Sequence, residues 1–260
     1  MTLLQAIFLG VLQGITEFLP ISSSGHLVLA ETILNLKAET LKSFDVAMHV
    51  GSLLAILIYF RKTIVEILTK ERKYIVYLLV GTIPAASIGL VFEDYIDTIF
   101  RSTLAVGIVM IVTGFYFLIA EKLHEKLQKK NHKMTVGKAI AIGIAQMFAL
   151  VPGISRSGST IATGVIAGME RTKAAEFSFL LGSIAIAGAG LLTALKVESI
   201  DIGMQPLVAG FIASAITSYF AVKFLMHFFR KNTLRPFAYY LFAIGILAIV
   251  VWFDVQSVAL

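Results

Sequence analysis

The chain alternates between long apolar runs and short charged connections. Six runs, at roughly 44–60, 74–92, 103–120, 177–195, 206–229 and 236–253, are long enough to cross a bilayer as helices and nearly free of charge. If each run crosses once, Arg61, Lys62, Lys70, Arg72, Lys73, Lys122, Lys126, Lys129, Lys130, Lys133, Lys138, Arg171, Lys173, Arg230, Lys231 and Arg235 all fall on one side. The positive-inside rule makes that side cytoplasmic. The opposite side receives only Lys37, Lys42, Arg101 and Lys196, together with Glu93, Asp94 and Asp97.

Two further apolar segments, 3–35 and 138–168, cannot cross without spoiling that arrangement. Lys138 and Arg171 flank the second and lie on the same side, so it must enter the membrane and return. The first must do likewise from the other face, because the run at 44–60 ends inside. Each is interrupted at its centre, by Pro20 and Gly25 in one and by Pro152, Gly153 and Gly158 in the other. Proline and glycine are expected in a hairpin that turns within the membrane. The pattern predicts an all-α polytopic protein of about six transmembrane helices plus two re-entrant helical hairpins. One hairpin and three crossings form a repeat, and an odd number of crossings inverts the second copy. The repeats span about 1–120 and 138–260 of a single integral-membrane domain, joined by a basic cytoplasmic linker at 121–137. Both termini are expected outside, and the two turns are expected to meet near the midplane.

Composition agrees: 58% of the 260 residues are hydrophobic and 15% charged, and the mean hydropathy is +0.88. The formal charge of +6 is explained by membrane orientation, so a nucleic-acid partner is not expected. There are no cysteines, which excludes disulfides. No basic residue precedes the first apolar run and no small-residue cleavage site follows it, so no signal peptide is expected.

The repeat is visible in the residues themselves. Gly10/Gly143, Gln13/Gln146, Ile21/Ile154, Ser22/Ser155, Ser24/Ser157 and Gly25/Gly158 all pair at an offset of 133 positions. The copies diverge where chemistry would divide them, because Glu17 faces Leu150 and Ser23 faces Arg156. Helices are expected from about His26 and from about Ser159 or Thr160. Their N-termini, converging with Arg156, would make an anion trap suited to phosphate. Glu17, Ser23 and His26 are the candidates for acid, base and nucleophile. Gln13, Ser22, Ser24, Gly25, Ser155, Ser157, Gly158 and Thr160 are candidate ligands of the bound group.

At these residues the chain resembles the undecaprenyl-diphosphate phosphatase family, also called the bacitracin-resistance phosphatases. The pair Gln-xxx-Glu-xx-Pro-x-Ser-Ser-x-Gly-His (Gln13 to His26) and Pro-Gly-x-Ser-Arg-Ser-Gly (Pro152 to Gly158) carries the likeness. The family's first motif begins with Glu or Gln, so Gln13 is the permitted variant and Glu17 is left as the acid. The resemblance places the family's key serine, histidine and arginine on Ser23, His26 and Arg156. It implies hydrolysis of undecaprenyl diphosphate to the monophosphate carrier of cell-wall precursors, bacitracin resistance, a divalent cation such as Mg²⁺ or Ca²⁺, and a site facing outside in the bacterial inner membrane. It leaves open whether Ser23 or His26 attacks phosphorus, which groups hold the metal, and whether the protein forms an oligomer.

Each residue also has a plainer role. His26 alone would cap or pack a helix, Arg156 would pair with Glu17, and serines cap helices as often as they bind ligands. His49 is expected as a buried, hydrogen-bonded histidine near the site. His124, His132 and His227 are assigned no role. Gly107, Gly114, Gly182, Gly188 and Gly190 are expected to permit close helix packing. A lipid or ion transporter is the competing function, since inverted repeats with broken helices are its usual architecture. A transport site would not need Ser23 and His26 on only one turn.

Overall fold

The computed structural model describes residues 1–36, 41–100, 102–127, 133–196 and 202–258. Eleven helices and no strands occur among the described residues. Both halves start alike. Thr2 caps α1 (Leu3–Thr16) in a box with Gln5: its Oγ1 accepts the Gln5 N–H at 3.2 Å, and its own backbone N–H donates to Gln5 Oε1 at 2.8 Å. Thr135, again 133 positions on, caps α7 (Val136–Phe148) by accepting from Lys138 N at 3.3 Å. Each short helix is followed by a turn and a second short helix, α2 (Ser23–Ile33) after α1 and α8 (Arg156–Ile166) after α7. These are the two expected hairpins.

Helices α5 (Arg72–Phe100), α6 (Thr103–Leu127), α9 (Arg171–Lys196), α10 (Met204–Phe228) and α11 (Arg235–Val258) each contain a stretch long and apolar enough to cross a membrane. A bent pair, α3 (Lys42–Tyr59) and α4 (Arg61–Thr69), with 69° between them, makes a sixth if the two count as one span. The bend falls at Phe60, where the sequence changes from an apolar run to the exposed Arg61 and Lys62. Helix α6 also continues through Leu127, into the first part of the expected linker. His124 therefore lies on a helix rather than in a loop, and its Nδ1 donates to Val165 O at 2.8 Å. Lys37, Arg101, Lys129, Lys130 and His132 fall outside the described residues.

The packing exchanges partners between halves: α1 lies against α10, α7 against α5, and α6 against α11. Glycine sets the first two contacts. A Cβ on Gly10 would come within 2.9 Å of the Gly210 Cα, and one on Gly143 within 3.0 Å of the Gly81 Cα. Apolar helices in lipid gain little from hydrophobic burial against one another, so close backbone approach is what holds them. Gly107 meets Gly245 and Gly114 meets Ala238 in the same way on α11. The expectation fails for Gly182 and Gly188: the first faces Arg156, and a Cβ on the second would meet nothing within 4 Å among the described residues.

Candidate active site

The two hairpin turns touch. Ser157 Oγ donates to Leu19 O at 3.0 Å, and Gly153 N donates to Ser24 Oγ at 3.4 Å, so each turn is tied to the other. Both second helices begin earlier than expected, α2 by three residues and α8 by three or four. Ser22 Oγ accepts the Gly25 N–H at 3.2 Å and Ser155 Oγ accepts the Gly158 N–H at 3.1 Å, which makes each serine the N-cap. Ser23 and Arg156 are consequently the first residues of α2 and α8. First-turn N–H groups have no acceptor within their helix, so the backbone of Ser23, Ser24, Arg156 and Ser157 offers donors toward the junction.

Glu17 sits at that junction, at the end of α1 and 5% exposed. Its Oε1 accepts from Arg156 Nη2 at 2.5 Å. Its Oε2 accepts from Ser23 Oγ at 2.7 Å and from Gln13 Nε2 at 2.8 Å. His49 Nε2 stands 3.5 Å from the same oxygen, while its Nδ1 donates to Asp45 O at 2.8 Å. A buried carboxylate is costly unless paired and hydrogen-bonded, and here both oxygens are engaged. Arg156 Nη1 donates to Gly182 O at 3.0 Å. The Nε–H and the outer hydrogens of the fork remain for a ligand. A Cβ on Gly182 would lie 2.9 Å from the guanidinium carbon, so absence of a side chain leaves the fork its room. Gly182 and His49 are themselves related by the offset of 133.

Other candidates are engaged elsewhere. Gly25 and Gly158 face α6, where a Cβ would press on Met110 and Phe117 respectively. Thr160 Oγ1 lies 2.7 Å from Arg156 O and 2.5 Å from Ser178 Oγ, so it fastens α8 to α9. Ser22 and Ser24 approach each other at 3.4 Å, as do Ser155 and Ser157. Gln146, the counterpart of Gln13, is 2% exposed, and neither of its amide atoms has a hydrogen-bond partner among the described residues. His26 is separated from the carboxylate: its Nδ1 donates to Ser22 O at 2.7 Å and its Nε2 lies 2.9 Å from the Tyr240 hydroxyl. No group of three or more His, Asp or Glu side chains arranged to hold a metal ion occurs among the described residues.

Comparison with known proteins assigns the chain to a family. The family profile described as "Bacitracin resistance protein BacA" matches residues 6–247. The chain belongs to the BacA family. The BacA match runs from within α1 through α10 and about halfway into α11. Similar proteins include an undecaprenyl-diphosphatase of Halothermothrix orenii, 41% identical over 258 residues and covering 96% of this chain and 98% of the relative. Another is from Thermodesulfovibrio yellowstonii, 42% identical over 256 residues with coverage of 96% and 98%. A third, from Rubrobacter xylanophilus, is 41% identical over 263 residues, covering 94% and 96%. Membership in BacA thus rests on nearly the whole chain, and the motifs on the two turns add the local detail.

Proposed function

We propose that the chain hydrolyses undecaprenyl diphosphate to undecaprenyl phosphate and phosphate, as the names of its relatives state for them, and thereby recycles a lipid carrier and confers bacitracin resistance. The observation that carries the mechanism is the 2.7 Å bond from Ser23 Oγ to Glu17 Oε2. A hydroxyl that donates to a carboxylate can pass it the proton as the oxygen attacks. Ser23 Oγ bonds to the terminal phosphorus, the bridging P–O bond breaks, and undecaprenyl phosphate leaves with that oxygen. Water then cleaves the phosphoserine and Ser23 recovers its proton. Arg156 and the first-turn N–H groups of α2 and α8 stabilise charge on the transferred phosphoryl group. The imidazole of His26 has both nitrogens engaged away from Glu17, which favours serine as nucleophile.

The divalent cation belongs to the same proposal. The protein supplies one carboxylate here, already accepting three hydrogen bonds. That donor set does not make a cage, so Mg²⁺ or Ca²⁺ would be carried by the phosphates and water. The site is proposed to face outside in the inner membrane, with both termini outside, on the strength of the basic connections.

The test is phosphate release from a long-chain isoprenyl diphosphate by purified protein in detergent. Wild type should turn over and trap label as an acid-stable phosphoserine, Ser23→Ala should do neither, and a chelator should stop turnover without lowering the melting temperature. Labelling of histidine instead, or wild-type turnover in Ser23→Ala, would remove Ser23 from its role.

A further inference from the structure

Ser22 is one of two non-glycine residues with positive φ, at φ 68° and ψ 92°, among the described residues. A serine in that region carries backbone strain that its surroundings must hold. Its counterpart Ser155 occupies the same capping position at φ −71° and ψ 110°, with no strain. The two capping serines therefore share a side-chain role and differ in backbone. One difference nearby is the residue four positions on, His26 in the first copy and Ser159 in the second.

His26 acts on the strained residue directly. Its Nδ1 lies 2.7 Å from Ser22 O, and its backbone N lies 3.2 Å from the same oxygen. A carbonyl only accepts, so in the neutral imidazole Nδ1 carries the proton and Nε2 presents its lone pair. The Tyr240 hydroxyl, 2.9 Å from Nε2, is then the donor. The two rings run nearly parallel, at 7° with centroids 5.6 Å apart. A chain of directed bonds leads from α11 through the imidazole to the carbonyl immediately before Ser23.

We propose that Tyr240 and His26 form a brace that holds the left-handed turn at Ser22 and so aims Ser23 at Glu17. His26 is then a positioning residue, and Tyr240 fixes its tautomer. The brace rests on the assignment of Ser23 as the attacking hydroxyl. It accounts for an imidazole beside the nucleophile with both nitrogens committed, one to backbone and one to a helix of the other repeat. It also accounts for the asymmetry between the copies, since only the turn that carries Ser23 is strained and only that turn is braced.

Asparagine separates a brace from a catalyst, because its amide nitrogen falls where Nδ1 does and can donate to Ser22 O, while it has no titrating or nucleophilic nitrogen. His26→Asn should keep kcat within roughly tenfold of wild type, whereas His26→Ala and His26→Gln should lose about a hundredfold or more, with KM little changed in all three. Tyr240→Phe should lower kcat several-fold in the wild-type background and have no effect on top of His26→Asn. If His26→Asn is as inactive as His26→Ala, or if Tyr240→Phe costs the same in both backgrounds, the brace is overturned. Ser23→Ala, run alongside, reads the underlying assignment separately. Imidazole ¹⁵N resonances, assigned to His26 by their loss in His26→Asn, give an answer independent of turnover. The brace requires a protonated Nδ1 and a bare Nε2 in wild type, with Nε2 shifting in Tyr240→Phe, and the opposite tautomer would exclude it.

Discussion

Arg156 serves two partners at once, the Glu17 carboxylate and the Gly182 carbonyl, and its planar fork makes that geometry possible. Arg156→Ala should lower kcat/KM by about 10²–10³ or more, the loss seen when one charge-stabilising donor is removed from a comparable site. It also strips Glu17 of its cation. Arg156→Lys should recover little, because one ammonium cannot span both acceptors and still reach a phosphate; phosphate release at saturating and limiting substrate checks both variants. Near-normal turnover in Arg156→Ala would take the arginine out of the site. At this scale the sequence was informative where partners are close along the chain. Gln13 and Glu17, four apart, share a helix face and do bond. Tyr240 was not legible, because it bonds to a residue 214 positions away and nothing local to α11 marks one exposed tyrosine over its neighbour Tyr239.

Among the elements, the hairpins and crossings were predictable because apolar length and charged connections report directly on membrane depth. The starts of α2 and α8 were misplaced by three or four residues, since a Ser-x-x-Gly run gives no outward sign of which serine caps. The ends of elements conceal a second feature, at the junction of α6, α9 and α11. Glu121 is fully buried, pairs with Arg171 through both Nε and Nη2, and accepts the Leu234 N–H at 2.8 Å. Glu121→Ala would leave a half-buried guanidinium and a buried N–H without an acceptor. It should destabilise the protein by about 3 kcal/mol, visible as a lower melting temperature in detergent, while the residual folded protein keeps its KM. An unchanged melting temperature would show that this junction contributes little.

For the molecule as a whole, orientation is the quantity to measure, and a chain with no native cysteine allows it cleanly. Thr69→Cys and Asn232→Cys, both exposed and separated along the chain by four crossings that return it to the same side, should resist an impermeant maleimide in intact cells and react after lysis. Gln205→Cys, exposed at the start of α10, should react in both. Reaction of Asn232→Cys but not Thr69→Cys in intact cells would mean an odd number of crossings between them and would remove the inversion of the second repeat.

The exchange of partners between halves also orders events during synthesis. Hairpin α1–α2 is made before the second repeat, yet α1 packs against α10 of that repeat, and His26 waits for Tyr240, 214 positions later. Until α8 leaves the ribosome, Glu17 has no Arg156 beside it, and a charged hairpin must shelter in the insertion machinery or at the bilayer surface. Assembly of the reactive centre therefore waits for the second repeat, and a chain terminated before Tyr240 would leave no working phosphatase in the membrane.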